Sequence, residues 1–172
     1  MVYLIIFFLL LTADQLSKLL VDAYVGDGKI TVWENIFSIV NTRNSGAAFS
    51  MLGKEDWAQI FFIAVTVLAV VLALVYLIFS KKTSKWLNVT VTLILAGAIG
   101  NFIDRLAFAE VRDFLFIEFF ANCNVADVAI TVGAIMLFAY FLFISDDPLF
   151  GSKKKKDKNV NDNIGESVDD GN

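Results

Sequence analysis

The stretch WLNVTVTLILAGAIGNFIDRL (Trp86–Leu106) decides the architecture. It reads as a membrane span, yet its end carries Asn101, Asp104 and Arg105. A charge in the hydrocarbon core costs about 2.5–3.5 kcal/mol on insertion scales, so each one needs a partner or a purpose. The i, i+3, i+4 spacing puts all three on one helix face, and the rest of the chain must be searched for what meets that face.

Outward from this span, three more segments read as spans, at about residues 2–20, 57–79 and 125–144. The second is free of charge and long enough to cross a core of about 30 Å. The first lacks a basic leader and a plain A-x-A cleavage site, so it is expected to be retained rather than cleaved. Composition agrees: 58% of the 172 residues are hydrophobic and 19% charged, and mean hydropathy is +0.69, whereas soluble chains are usually about half apolar. The expected class is a membrane all-α, four-transmembrane-helix bundle.

Lysine sets the orientation. Lys81, Lys82 and Lys85 lie between spans two and three, and Lys153, Lys154, Lys155 and Lys156 follow span four. The positive-inside rule makes both flanks cytoplasmic, which puts both termini inside and stretches 21–56 and 107–124 outside. The expected organisation is a membrane domain over 1–150 and a disordered, charged cytoplasmic tail over 151–172, which has almost no apolar content. In the first outer stretch, Lys29–Ile39 is rich in β-branched and aromatic residues and predicts one or two short strands. Ala47–Leu52 suits a short amphipathic helix. Phe114–Phe120 suits a strand or an interfacial segment.

Depth then groups the polar residues. Asp14 and Lys18 are four apart on span one and can pair. Asn124 and Asp127 open span four on one face. With the amino terminus inside, these residues and the Asn101, Asp104, Arg105 face all reach one level near the outer surface. The plainest role for Asp14–Lys18 and Asp104–Arg105 is mutual neutralisation, a polar clamp between helices. Gly97 and Gly100 are expected to permit close helix contact. Asp113 and Asp127 differ. Strand neighbours face opposite ways, so Arg112 does not pair with Asp113, and Asp127 has no basic residue within a helical turn. Two such carboxylates near one surface are candidates for sharing a proton.

The residue inventory excludes much other chemistry. Histidine is absent, which removes a Ser-His-Asp triad and an H-E-x-x-H zinc site. The one cysteine, Cys123, makes neither an intrachain disulfide nor a thiolate cluster for a metal. No metal and no cofactor are expected. A small ion- or proton-coupled transporter and a membrane scaffold remain as alternatives. The charges gather at one surface with no internal repeat, against the transporter. A scaffold gives no reason for two extra aspartates at the rim.

Five blocks, in order, resemble the lipoprotein signal peptidases (signal peptidase II): DQLSK (Asp14–Lys18), NSGAAFS (Asn44–Ser50), GAIGNFIDR (Gly97–Arg105), VRDF (Val111–Phe114) and NVADVAI (Asn124–Ile130). The resemblance implies four transmembrane helices with a small extracytoplasmic β-cradle and a short helix. It implies an aspartic endopeptidase of the bacterial cytoplasmic membrane, with Asp113 and Asp127 as the catalytic pair near the outer face. Asn44, Asn101, Arg105 and Asn124 would shape the site or hold the substrate backbone, and Asp14, Lys18 and Asp104 would be structural. The implied substrate is a diacylglyceryl-modified prolipoprotein, cut just before its lipidated cysteine, with membrane lipids as the other partner, no nucleic acid, and a monomer as the simplest state. Arg112 stands where the family commonly has an apolar residue, and is open to two readings: lowering the pKa of Asp113 or binding lipid phosphate.

Overall fold

The computed structural model describes residues 1–45, 56–79, 84–120 and 122–143. Its helices are α1 (Val2–Tyr24), α2 (Asp56–Phe79), α3 (Lys85–Phe108) and α4 (Val125–Phe143). All four are long and apolar enough to cross a membrane. They follow the expected spans closely, with α1 running four residues further. The helix expected over Ala47–Leu52, Lys81, Lys82 and the tail over 151–172 lie outside the described residues.

Helix α3 is the centre of the bundle: α1, α2 and α4 all pack on it. Its buried residues include Ala96, Gly97, Ala98 and Gly100. These small residues let the neighbours approach backbone to backbone, as membrane helices lacking a hydrophobic driving force require. A Cβ on Gly97 would run into the Ala126 carbonyl oxygen of α4. One on Gly133 of α4 would lie 2.6 Å from Ile94 Cγ1. Gly100 makes room for a different neighbour, since its Cβ would sit 2.6 Å from the Asp14 carboxylate of α1. Elsewhere the helices turn apolar side chains outward, among them Phe8, Leu68 and Phe138, as lipid-facing surfaces do.

Three antiparallel strands, β1 (Lys29–Trp33), β2 (Phe37–Asn44) and β3 (Val111–Ile117), form one sheet in the order β1-β2-β3. The stretch from Lys29 thus gives two strands, the second reaching five residues beyond the expected end. β3 begins three residues before the segment expected at Phe114–Phe120 and ends at Ile117. Beyond it Phe119 adopts a left-handed backbone with φ 66°, which breaks the strand. Between Ile39 and Thr42 the β2–β3 register shifts. Such a bulge re-aims side chains. Here it puts Thr42 opposite Asp113 and Asn44 opposite Val111, so Asn44 reaches Asp113 diagonally.

Candidate active site

The site lies where α1, α3, α4, β2 and β3 meet. Its foundation is Lys18, which has no exposed surface. Its ammonium has three donors and meets three acceptors: Asp14 Oδ2 at 2.8 Å, Asn101 Oδ1 at 3.2 Å and Asp104 Oδ2 at 3.2 Å. Asp14 uses its other oxygen to accept the Ala126 amide N–H at 2.9 Å. That satisfies one of the free donors at the start of α4.

Asn124 caps the same helix. Its Oδ1 accepts the Asp127 N–H at 3.0 Å, and its own N–H donates to Asp127 Oδ2 at 3.2 Å. This is the reciprocal arrangement of a capping box. The Asn124 amide also donates to Asp113 Oδ1 at 2.7 Å. One residue therefore holds both carboxylates. Asn101 donates to Asp127 Oδ1 at 2.7 Å and Asn44 donates to Asp113 Oδ2 at 2.8 Å. All four carboxylate oxygens accept a hydrogen bond, and Asp113 is 2% exposed. The expected grouping of Asp113, Asp127, Asn44, Asn101 and Asn124 is present, and the three asparagine amides bind the carboxylates.

The clamp expected between Asp104 and Arg105 is replaced by other pairings. Asp104 accepts from Arg112 Nη2 at 2.7 Å and from the Arg112 main-chain N–H at 3.0 Å, besides Lys18. Arg105 places its guanidinium over the Phe62 ring of α2, 4.7 Å from the centroid. Successive helix residues point about 100° apart, so Asp104 turns to α1 and β3 while Arg105 turns to α2. Arg105 still interacts electrostatically with Asp127 and Asp113. Arg112 meets neither of the roles considered for it. It is 4% exposed and engaged by Asp104, Asp22 and Gln15. Burial opposes its charge, but the hydrogen bonds to Asp104 and Asp22 hold its pKa above the usual arginine value.

Asp113, beside it on the opposite strand face, shifts upward. Burial, with repulsion from Asp127, pushes its carboxyl from 3.8 to about 6, while the Asn44 and Asn124 hydrogen bonds work the other way. The folded state thus holds this proton more tightly than the unfolded chain. Its contribution to stability is present below about pH 4 and is lost as pH rises through about 6. Removing a donor to the carboxylate favours the neutral form. In Asn44→Ala the Asp113 carboxyl should therefore titrate at higher pH, as its pH titration followed by NMR would show. A titration that stays put or moves to lower pH would contradict this electrostatic account. The Cys123 thiol is pushed up by burial and by the charges of Asp127 and Asp113, which disfavours the thiolate a cysteine nucleophile needs. Among the described residues no group of three or more His, Cys, Asp or Glu gathers to hold a metal.

Gln15 and Asp22 extend the polar network around the site. Gln15 donates to Asp14 and to the Gly100 carbonyl, and accepts from Arg112. For Asp22 a signal was present: Asp14, Lys18 and Asp22 recur every four residues, which is one face of a helix.

A family model described as signal peptidase (SPase) II matches residues 6–143. The lipoprotein signal peptidase of Streptococcus pyogenes serotype M6 is 41% identical over 132 residues, covering 75% of this chain and 85% of that protein. That of Streptococcus agalactiae serotype Ia is 41% identical over 136 residues, covering 77% and 86%. Among solved structures, one bacterial membrane enzyme superposes with TM-score 0.78 at 27% identity, covering 90% of this chain and 93% of the other. A second gives 0.76 at 25% identity, covering 84% and 94%. The match runs from α1 through α4 and takes in every element that builds the carboxylate site, so the chain belongs to the signal peptidase II family.

Proposed function

We propose that Asp113 and Asp127 are the catalytic pair with which this membrane aspartic peptidase removes signal peptides from prolipoproteins. The observation that carries the reading is Asn124 binding both carboxylates, that of the buried Asp113 and that of Asp127. Two acids held together and withdrawn from water cannot both ionise cheaply, so one keeps a proton near neutral pH. One aspartate takes a proton from water as it attacks the scissile carbonyl carbon. The other donates its proton to the carbonyl oxygen; as the tetrahedral intermediate collapses, the first aspartate passes the proton taken from water to the leaving amine, and the second regains one from the intermediate's hydroxyl. As a coupled pair they titrate together. Arg105, whose electrostatic field reaches both acids, is the cation that steadies a substrate carbonyl. Asn44, Asn101 and Asn124 orient the acids. Asp14, Lys18 and Asp104 hold the helices that carry them.

The peptidase domain spans 1–150, with both termini cytoplasmic and the site near the outer face of the bacterial cytoplasmic membrane. The three-stranded sheet serves as an extracytoplasmic cradle, and the tail over 151–172 stays in the cytoplasm. The substrate carries diacylglycerol on the cysteine that follows the cut. Its acyl chains remain among the membrane lipids while the scissile bond meets the pair, and the enzyme works as a monomer.

The test compares a diacylglyceryl-modified prolipoprotein with the same chain bearing a free cysteine, using purified protein in bilayers. Remote binding energy lost with the lipid should lower kcat/KM by about 100-fold or more. Equal cleavage of both would remove the lipid from the recognition, and cleavage of neither would sink the reading.

A further inference from the structure

One ionic cluster lies on the sheet face opposite Asp113. Arg43 of β2 and Arg112 of β3 are directly paired across the strands. Like charges in that position are destabilising. Three groups reconcile them. Asp22, near the end of α1, accepts Arg43 Nη2 on Oδ1 at 2.9 Å and Arg112 Nη1 on Oδ2 at 3.2 Å. Phe108 of α3 lies under both guanidiniums, 5.2 Å from Arg43 and 4.8 Å from Arg112. Asp104 takes the rest of Arg112. The next residues along each strand are the ones that face the site: Asn44 follows Arg43, and Asp113 follows Arg112.

We propose that Asp22 is a positioning residue: by neutralising Arg43 and Arg112 together it ties β2 and β3 to α1 and so fixes Asn44 and Asp113 relative to Asp127. The proposal rests on the catalytic pair named above. It assigns work to residues outside that pair and explains why an arginine is tolerated beside an active-site aspartate. Arg112 is turned away and held by helix residues, so its strand is anchored on one face while the other presents Asp113. Three contacts of Arg112 go to Asp104, one of them from its main chain, which pins the backbone one residue before Asp113. The Arg43–Asp22 arm is the more open one, with side chains 38% and 27% exposed. It holds β2, and with it Asn44.

Among the described residues, the charged and polar groups that face Asp113 are Asp127 and Asn124 from the start of α4, Lys18 from α1, Asn44 from β2 and Arg105 from α3. None of these side chains is itself substituted when Asp22 is changed. In Asp22→Asn one carbonyl oxygen must serve two guanidiniums, leaving the paired arginines underneutralised. The strands should shift, and the Asn44 amide should lose its hold on Asp113.

The experiment measures kcat, KM and the pH profile of kcat/KM on a diacylglyceryl-modified prolipoprotein. For Asp22→Asn, kcat should fall about 10-fold to 100-fold with KM within about 2-fold, and the limb of kcat/KM near pH 6 set by Asp113 should move to higher pH, because Asp113 loses the Asn44 donor. Asp22→Asn/Arg43→Gln, which removes the surplus charge, should recover much of kcat, and Asp22→Glu should recover part. Lower yield of folded enzyme with unchanged kcat and profile shape per folded molecule would make Asp22 merely structural and overturn the proposal. So would a double variant no better than the single. If Asp22→Asn does not fold, Arg112→Lys applies the same test, because a single ammonium cannot reach Asp22, Asp104 and Gln15 together. An unshifted limb with wild-type kcat there also overturns the proposal. Asp113→Asn in the same assay separates the two ideas: activity in that variant defeats the catalytic pair, while its loss beside a wild-type Asp22→Asn defeats only the positioning role.

Discussion

Replacing either Asp113 or Asp127 by asparagine should lower kcat toward the upper end of the about 10²-fold to 10⁴-fold range for removing a positioned general acid or base. Cleavage of a diacylglyceryl-modified prolipoprotein in detergent, with folding followed in parallel, checks it. The size of the effect is what makes the test decisive. Each substitution also perturbs a hydrogen bond. Asp113 accepts on both oxygens, from Asn44 and Asn124, and Asp127 accepts from Asn101 and from the Asn124 N–H. An asparagine turns a donor toward one of these donors and forfeits about 1 kcal/mol of stability. A fold that survives such a loss cannot explain a thousandfold fall in rate.

The pair also predicts non-additivity. Groups that act as one unit lose nearly everything with the first removal. Asp113→Asn/Asp127→Asn should therefore be little worse than either single variant. Two independent contributions would multiply, and a double variant lower by the product of the two effects would mean that the acids do not act on the same proton. Full activity in either single variant would remove that residue from the chemistry and return attention to the remaining buried acids.

How far the sequence revealed this arrangement depends on how each contact is encoded. The helices were legible because a lipid-facing segment must be apolar along nearly its whole length, and the described spans depart from expectation only at their ends. The common level of Asp14, Lys18, Asn101, Asn124 and Asp127 was also legible, since helical rise converts position into depth. Strand β2 was half legible. Its first part alternates in β-forming residues, but Asn41–Asn44 is polar and reads as loop, although it is the part that reaches the site. The start of β3 was half legible too: Arg112 and Asp113 read as strand neighbours, but no alternation marked where the strand begins. Val111, Arg112, Asp113 and Phe114 are all buried, so a strand covered on both faces by polar networks shows no alternation. The partner of Asp104 was missed because proximity in sequence suggested Arg105, whereas the chain brings Arg112 back onto Asp104 only after the left-handed turn at Ala109. Asp22 belongs to the same class: its partners come from two strands that the sequence does not bring together.

The buried clamp supplies the second large effect. Lys18→Met should destabilise the folded protein by about 3–5 kcal/mol, the range for breaking a buried ion pair from one side, measured by thermal unfolding in detergent. Asp104 retains Arg112 as a counter-ion in that variant. Asp14 does not: among the described residues the remaining partners of its carboxylate are Gln15 and the Ala126 N–H, neither charged. The loss should therefore reside mostly in Asp14, and Lys18→Met/Asp14→Asn should regain part of it, because an asparagine carbonyl can still accept the Ala126 N–H without an unpaired charge. If the double variant is as unstable as Lys18→Met, the cost lies in Asn101 and Asp104 instead. The distinction matters for function, because Lys18 donates to the same Asn101 oxygen that accepts from Asn124, while the amide of Asn101 holds Asp127. Loss of the ammonium removes one of the three hydrogen bonds that fix that side chain. A stability defect repaired at Asp14 should then leave a residual defect in kcat. That would separate the two duties of one lysine, fastening the bundle through Asp14 and orienting an acid through Asn101.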